Sequence, residues 1–155
     1  MKFSDLNTEK KPVVQLNPNS WKAAQDFAYE KMCERAIGLG LDKPFDLSQG
    51  CKFSSLFVQQ IFGGKIEGNE FHYFNRIRGK IHDLNEFAFD VSNLDDPYKH
   101  DPREIMQDDY LISLESCLPR VKTWVVDFTE IAKDNNWIIC RARKPERQES
   151  LGMSM

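Results

Sequence analysis

The stretch that decides the fold runs from residue 49 to residue 85 and reads QGCKFSSLFVQQIFGGKIEGNEFHYFNRIRGKIHDLN. From Phe53 onward, apolar residues recur at i, i+3, i+4 and i+8, which is the spacing of one buried helical face. This pattern stops at Gly63-Gly64, and glycine is the residue that most often ends a helix. The sequence therefore predicts a short amphipathic helix that begins at Cys51.

The second half of this stretch is typical of β-structure. An aromatic run over residues 71–77 and a second run over 80–84 are separated by Gly79. Aromatic and β-branched residues on both sides of a glycine turn indicate two antiparallel strands joined by a tight loop. We therefore predict a β-hairpin.

The length of the hairpin loop determines which side chains share a face. If the loop is the two-residue Arg78-Gly79, His72 lies opposite Asn85 and becomes a diagonal neighbour of Asp83 on the same face. A three-residue loop would turn Asp83 away and bring His82 to that face, because a slip of one residue inverts every side chain. The sequence leaves both registers open.

Outside this stretch, apolar spacing predicts three further helices and a last short strand. Ser20 is the expected cap of the first helix, and Pro119 separates the other two. The predicted helices cover residues 20–36, 103–117 and 120–134, and the strand covers 137–140. We expect a loose lead-in over residues 1–18, a single α+β domain over 19–143 and a disordered tail over 144–155.

Composition excludes several classes of protein. The 155 residues include 24 acidic and 21 basic side chains, a net charge of -3 that argues against a nucleic-acid binder. No apolar run approaches the roughly 18 residues that a membrane span needs, and the first residues lack the apolar core of a secretion signal. The four cysteines show no Cys-x-x-Cys spacing. We therefore expect a cytoplasmic protein with free thiols and no membrane partner.

Three residue types in the central stretch suit thiol chemistry. Cys51 opens a helix, where partial positive charge and free backbone N–H groups favour a thiolate and can hold an oxyanion. A histidine in reach would take and return the proton, and a carboxylate on its other nitrogen would orient it. The candidates are Cys51 as nucleophile, His72 as general acid and base and Asp83 as orienting group, with Asn85 as its substitute.

Several short motifs resemble the bacterial YunG-like proteins, a poorly characterised family. They are QGC at residues 49–51, LFVQ at 56–59, FGG at 62–64, HYFNR at 72–76 and DLN at 83–85. In that family a Gly-Gln-Cys opens a helix that ends in Phe-Gly-Gly, followed by His-Tyr-Trp-Asn-Arg and Asp-Leu-Thr. Here Gln49 stands two places before Cys51, with Gly50 between them, and Phe74 replaces the usual tryptophan. Gln49, Asn75 and Asn85 are the candidates for supporting roles.

The order Cys, His, Asp is also similar to that of papain-like and transglutaminase-like enzymes. In these the nucleophile opens a helix packed on an antiparallel sheet that carries the other two groups. The resemblance implies an α+β fold with such a core and covering helices. It implies acyl transfer at an amide of a protein or peptide, by a protease, deamidase, amidase or transglutaminase, without a cofactor.

Two other interpretations stay open. Cys51, His72, His82 and Asp83 could in principle ligate zinc, but their spacing is poor, since structural zinc draws on close Cys or His pairs. We therefore expect no metal. The protein could also be an interaction module that keeps the fold without turnover. The sequence does not indicate an oligomeric state.

Overall fold

The computed structural model describes residues 8–140, which form a mixed α+β arrangement around a small antiparallel sheet. The first seven residues of the expected lead-in and the expected tail at 144–155 lie outside the described residues. In chain order the elements are α1 (Pro18–Gly38), α2 (Cys51–Phe62), β1 (Lys65–Gly68), β2 (Tyr73–Ile77), β3 (Lys80–His82), α3 (Phe89–Ser92), α4 (Pro102–Ile105) and α5 (Asp108–Asp134).

Helix α2 lies at the centre of the core, as its apolar periodicity predicts. Leu56, Phe57 and Ile61 are fully buried. The Phe57 ring packs edge-on against Trp124 and Phe128 of α5, with ring centroids 5.7 and 5.5 Å apart. An isolated helix of this length is marginal in water, so packing against α5 and the sheet supplies its stability. The predicted start at Cys51 is confirmed.

The sheet has the order β1-β2-β3 with antiparallel neighbours. Strands β2 and β3 pair Asn75 with His82 and Ile77 with Lys80, which is the register of the two-residue loop. Both loop residues adopt positive φ, 52° at Arg78 and 78° at Gly79. Such a turn matches the right-handed twist of the two strands, and the register with the longer loop is therefore wrong.

Strand β1 is absent from the sequence-based prediction, which has only the two strands of the hairpin in this part of the chain. In the structure Ile66 pairs with Asn75 and Gly68 pairs with Tyr73. Four residues are too few for an alternating pattern to emerge, and the strand is held by backbone pairing with β2.

The ends of α1 and α5 differ from the prediction. Asn17, and not Ser20, caps α1: the Asn17 side chain accepts from the Ser20 N–H at 2.8 Å and Ser20 Oγ accepts from the Asn17 N–H at 3.0 Å. This reciprocal pair is a capping box. Helix α5 runs through Pro119 without a break, because Leu118 and Val121 on either side are both buried in the core. The apolar stripe outweighs the loss of one helical donor.

Part of the expected lead-in is attached to the core. Val14 is fully buried, and its N–H donates to the Ile61 carbonyl at the end of α2. The predicted strand at 137–140 is only an isolated bridge, in which Ile138 pairs with Val14. Among the helices of residues 8–140, none has the length and apolar character to cross a membrane.

Gly64, just before β1, packs closely against the backbone of Arg76 and Ile77, which leaves no room for a side chain. Gly64 and Gly79 both have φ of +78°, but a Cβ on Gly64 would meet the Arg76 carbonyl and would lie 2.9 Å from Ile77 Cγ1, whereas a Cβ on Gly79 meets nothing within 4 Å. Gly64→Ala should lower the free energy of unfolding by about 1–3 kcal/mol more than Gly79→Ala, measured by urea denaturation. Equal losses would show that backbone strain alone matters at Gly64.

Candidate active site

The three predicted catalytic residues come from the ends of three elements that meet at one edge of the sheet. Cys51 is the first residue of α2 and is half-buried. His72 directly precedes β2 and Asp83 directly follows β3, and their exposed fractions are only 1% and 6%. The two-residue hairpin loop places His72 and Asp83 side by side, as predicted for that loop length.

His72 and Asp83 form a buried hydrogen-bonded pair. The distance between His72 Nε2 and Asp83 Oδ2 is 2.7 Å. The same Oδ2 accepts from the Tyr98 hydroxyl at 3.0 Å, and Oδ1 accepts from the Asn85 N–H at 2.9 Å. Three donors thus surround one carboxylate, which compensates its removal from water and fixes its orientation.

Cys51 lies close enough to His72 to affect its pKa. Burial lowers the pKa of His72, but hydrogen bonds with Asp83 and with Cys51, together with their negative charge, outweigh it and raise the pKa to about 9. Because Asp83 occupies Nε2, the ring nitrogen that remains for Cys51 is Nδ1. The imidazole is therefore protonated at neutral pH and lies between a carboxylate and a thiol.

The start of α2 offers free donors next to the thiol. The helix cap Gly50 has no side chain, and its carbonyl accepts the first helical bond, from the Ser54 N–H at 2.9 Å. The N–H of Cys51 belongs to the first turn, where no intrahelical acceptor exists. Together with the positive end of the helix dipole, this N–H can stabilise negative charge on a group held at Cys51.

Gln49 lies beside Cys51 at the mouth of the site. Its backbone is left-handed, with φ of 65°, and its N–H donates to Asp90 Oδ2 at 2.7 Å. The side chain is exposed and lines the same pocket as Cys51. A non-glycine residue at positive φ is uncommon, and the bond to Asp90 holds it there.

Asn75 and Asn85 hold the elements of the site together and do not line it. The buried Asn75 Nδ2 donates to the Ser55 carbonyl at 2.9 Å and so ties β2 to α2. Asn85 Nδ2 donates to the Leu47 carbonyl at 2.9 Å, which joins the segment after Asp83 to the loop before Cys51. Asn75 and Asn85 therefore position the elements that carry Cys51, His72 and Asp83.

Two tyrosines of the site were not predicted from the sequence. Tyr98 reaches Asp83 from the loop between α3 and α4, and no local pattern indicates that contact. The Tyr110 hydroxyl is buried and has no hydrogen-bond partner among the residues that the structure describes. Burial raises the pKa of Tyr110, and the nearby Tyr73 and Cys51 add to it, so this hydroxyl is an unused donor in the neighbourhood of the thiol.

The residues considered as zinc ligands are not all brought together. His82 packs against Trp21 of α1, with ring centroids 5.7 Å apart, and burial and Lys80 lower its pKa. Within residues 8–140 no three His, Cys, Asp or Glu side chains are arranged to hold a metal ion.

No family model, no curated protein and no solved structure matches this chain. The resemblance to the YunG-like proteins stays a prediction. The chemistry of the site is therefore inferred from its own geometry.

The raised pKa of His72 makes stability depend on pH. The imidazole has a pKa near 6.5 when unfolded and about 9 when folded, so its contribution is complete below pH 6.5 and is lost as the pH rises through 9. We expect the free energy of unfolding to fall by about 2–3 kcal/mol over this interval, and by much less in Asp83→Asn. Urea denaturation at both pH values measures it.

Asp127→Asn is the matched control, because Asp127 is an exposed carboxylate whose partner is Lys31 on the protein surface. It should show the same pH dependence as the wild type. If Asp83→Asn also loses as much stability as the wild type between pH 6.5 and 9, Asp83 does not hold the proton on His72.

Proposed function

We propose that the protein is a cysteine-dependent acyl-transfer enzyme that acts on amide bonds of a protein or peptide substrate. The observation that carries this proposal is the buried hydrogen bond between His72 and Asp83, with Cys51 close enough to His72 to raise its pKa. A half-exposed thiol beside a protonated, oriented imidazole is the arrangement that nucleophilic catalysis requires. No cofactor is part of the proposal.

The reaction has two stages. The Cys51 thiolate attacks the amide carbonyl carbon, and the C–S bond forms as the carbonyl oxygen takes up negative charge. When the C–N bond breaks, the His72 imidazolium protonates the leaving amine. In the second stage, water or an acceptor amine attacks the thioester while neutral His72 takes its proton. The C–S bond then breaks, which restores the Cys51 thiolate beside the His72 imidazolium.

Two donors are available to the oxyanion. The Cys51 N–H is free in the first turn of α2. Gln49 lines the same pocket, and its amide could supply a second donor. Asp83 holds the imidazole in its orientation, while Tyr98 and Asn85 act on Asp83 as positioning residues.

The proposal includes a papain-like core and a cytoplasmic location. The packing of α2 against the antiparallel sheet that carries His72 and Asp83 at its edge supports such a core. All four cysteines are described and all are free thiols, which suits a nucleophile that must stay reduced.

Exposed aromatic side chains favour a second candidate, a protein-interaction module. Phe45 and Phe87 are each 82% exposed and line one pocket beside α1. Exposed apolar surface of this kind is typical of binding sites. Under this alternative the thiol of Cys51 carries no chemistry.

Alkylation by iodoacetamide at pH 7, followed by mass spectrometry of the native protein, separates the two candidates. We expect Cys51 to react at least about tenfold faster than Cys33 and Cys140, and His72→Gln to remove this difference, because the imidazole sustains the thiolate. His82→Gln is the matched control, since His82 packs on Trp21 outside the site. If Cys51 reacts no faster than Cys140, or is unaffected by His72→Gln, the enzyme proposal fails.

A further inference from the structure

The Cys51 thiol opens into a pocket between three helices, with a volume of about 330 Å³. Arg35 comes from α1, Lys52 follows Cys51 in α2, and Arg120 comes from α5. The other lining residues are uncharged, and none is an aspartate or a glutamate. A pocket of this size accommodates a side chain or a small fragment of a substrate.

The cations of this pocket have no carboxylate partner among the described residues. Within residues 8–140, Arg35, Lys52 and Arg120 form no ion pair, whereas Lys31 at the nearby surface of α1 pairs with both Glu34 and Asp127. This concentration of cations stands in a chain whose net charge is -3. In a concave site bounded by protein, such a field attracts anions.

Two of the cations are held in place by aromatic rings. The Arg35 guanidinium lies 4.9 Å from the centroid of Phe53, and Lys52 Nζ lies 5.0 Å from the centroid of Tyr73. Cation–π contacts of this kind restrain long side chains without cancelling their charge. Both cations therefore keep their charge in the wall of the pocket that Cys51 also lines.

The buried thiol of Cys117, on the α5 wall of the pocket, reports the same field. Burial raises its pKa, while Ser116, Lys52 and Arg35 each lower it. The cations thus act on groups inside the pocket as well as on solvent.

We propose that this pocket is an anion subsite that binds a carboxylate adjacent to the reacting amide of a peptide substrate. This inference rests on the proposed function of Cys51 and names its substrate class. The carboxylate belongs either to an aspartate or glutamate side chain or to a peptide C-terminus. In both cases the guanidinium groups of Arg35 and Arg120 supply paired donors for the two oxygens.

Iodoacetate and iodoacetamide test the subsite without turnover. In both reactions the thiolate forms a C–S bond and iodide leaves, but only iodoacetate carries a negative charge. The ratio of the two rates at Cys51 cancels the reactivity of the thiol itself. Relative to the ratio for a neutral small-molecule thiol, we expect a preference for iodoacetate of about tenfold at low salt, which weakens in 0.5 M NaCl as in any screened interaction.

Arg120→Gln should reduce this preference severalfold, and Arg120 is exposed, so the substitution should not affect folding. Lys122→Gln is the matched control, because Lys122 is exposed on the same helix, changes the net charge equally and does not line the pocket. It should leave the preference unchanged. Equal ratios for Cys51 and the reference thiol, or equal effects of both variants, would overturn the subsite.

Protection from iodoacetamide identifies the source of the carboxylate. If the side chain is recognised, N-acetyl-glutamate amide should slow alkylation of Cys51 more than N-acetyl-glutamine amide. If a C-terminus is recognised, N-acetyl-glutamine with a free carboxylate should slow it more than N-acetyl-glutamine amide. Equal protection by all three compounds would contradict the inference. If only the subsite proposal is wrong, His72→Gln still slows alkylation of Cys51 by iodoacetamide. If the proposed function is wrong, His72→Gln has no such effect, so the two failures are distinguishable.

Discussion

The buried hydrogen bond between His72 and Asp83 is the contact on which the rest of the site depends. An ionisable pair of this kind is costly to remove from water, and it persists only where its remaining hydrogen-bonding capacity is satisfied. Tyr98 and the Asn85 N–H meet that need on the carboxylate side. The hairpin register, the loop that carries Tyr98 and the position of α2 must all be correct for this bond to form.

The loop before Cys51 and the segment after Asp83 are joined by hydrogen bonds. Asp46 accepts from the Ser48 N–H and from the Phe89 N–H, both at 2.8 Å, so one carboxylate bridges the two segments. The bond from Gln49 to Asp90 adds a second bridge between them. These bonds restrain the loop that leads to Cys51 relative to the segment that follows Asp83.

Charge is distributed unevenly around the thiol. His72 near the thiol is bonded to the Asp83 carboxylate, whereas the pocket that Cys51 lines also holds Arg35, Lys52 and Arg120. A net charge of -3 gives no indication of this local excess of cations. Positive and negative groups placed around a thiol can orient a bound ligand as well as change the reactivity of the sulfur.

The sequence by itself determined the helix that begins at Cys51 and the hairpin with His72 and Asp83 near its strand ends, because both depend on local periodicity and on the turn residues Arg78-Gly79. Only the tertiary structure decided the rest. Helix α5 continues through Pro119 because its neighbours bury a continuous apolar stripe, and Tyr98 reaches Asp83 because a distant loop folds over the sheet edge. Contacts between residues far apart in the chain follow from packing, which no local pattern contains.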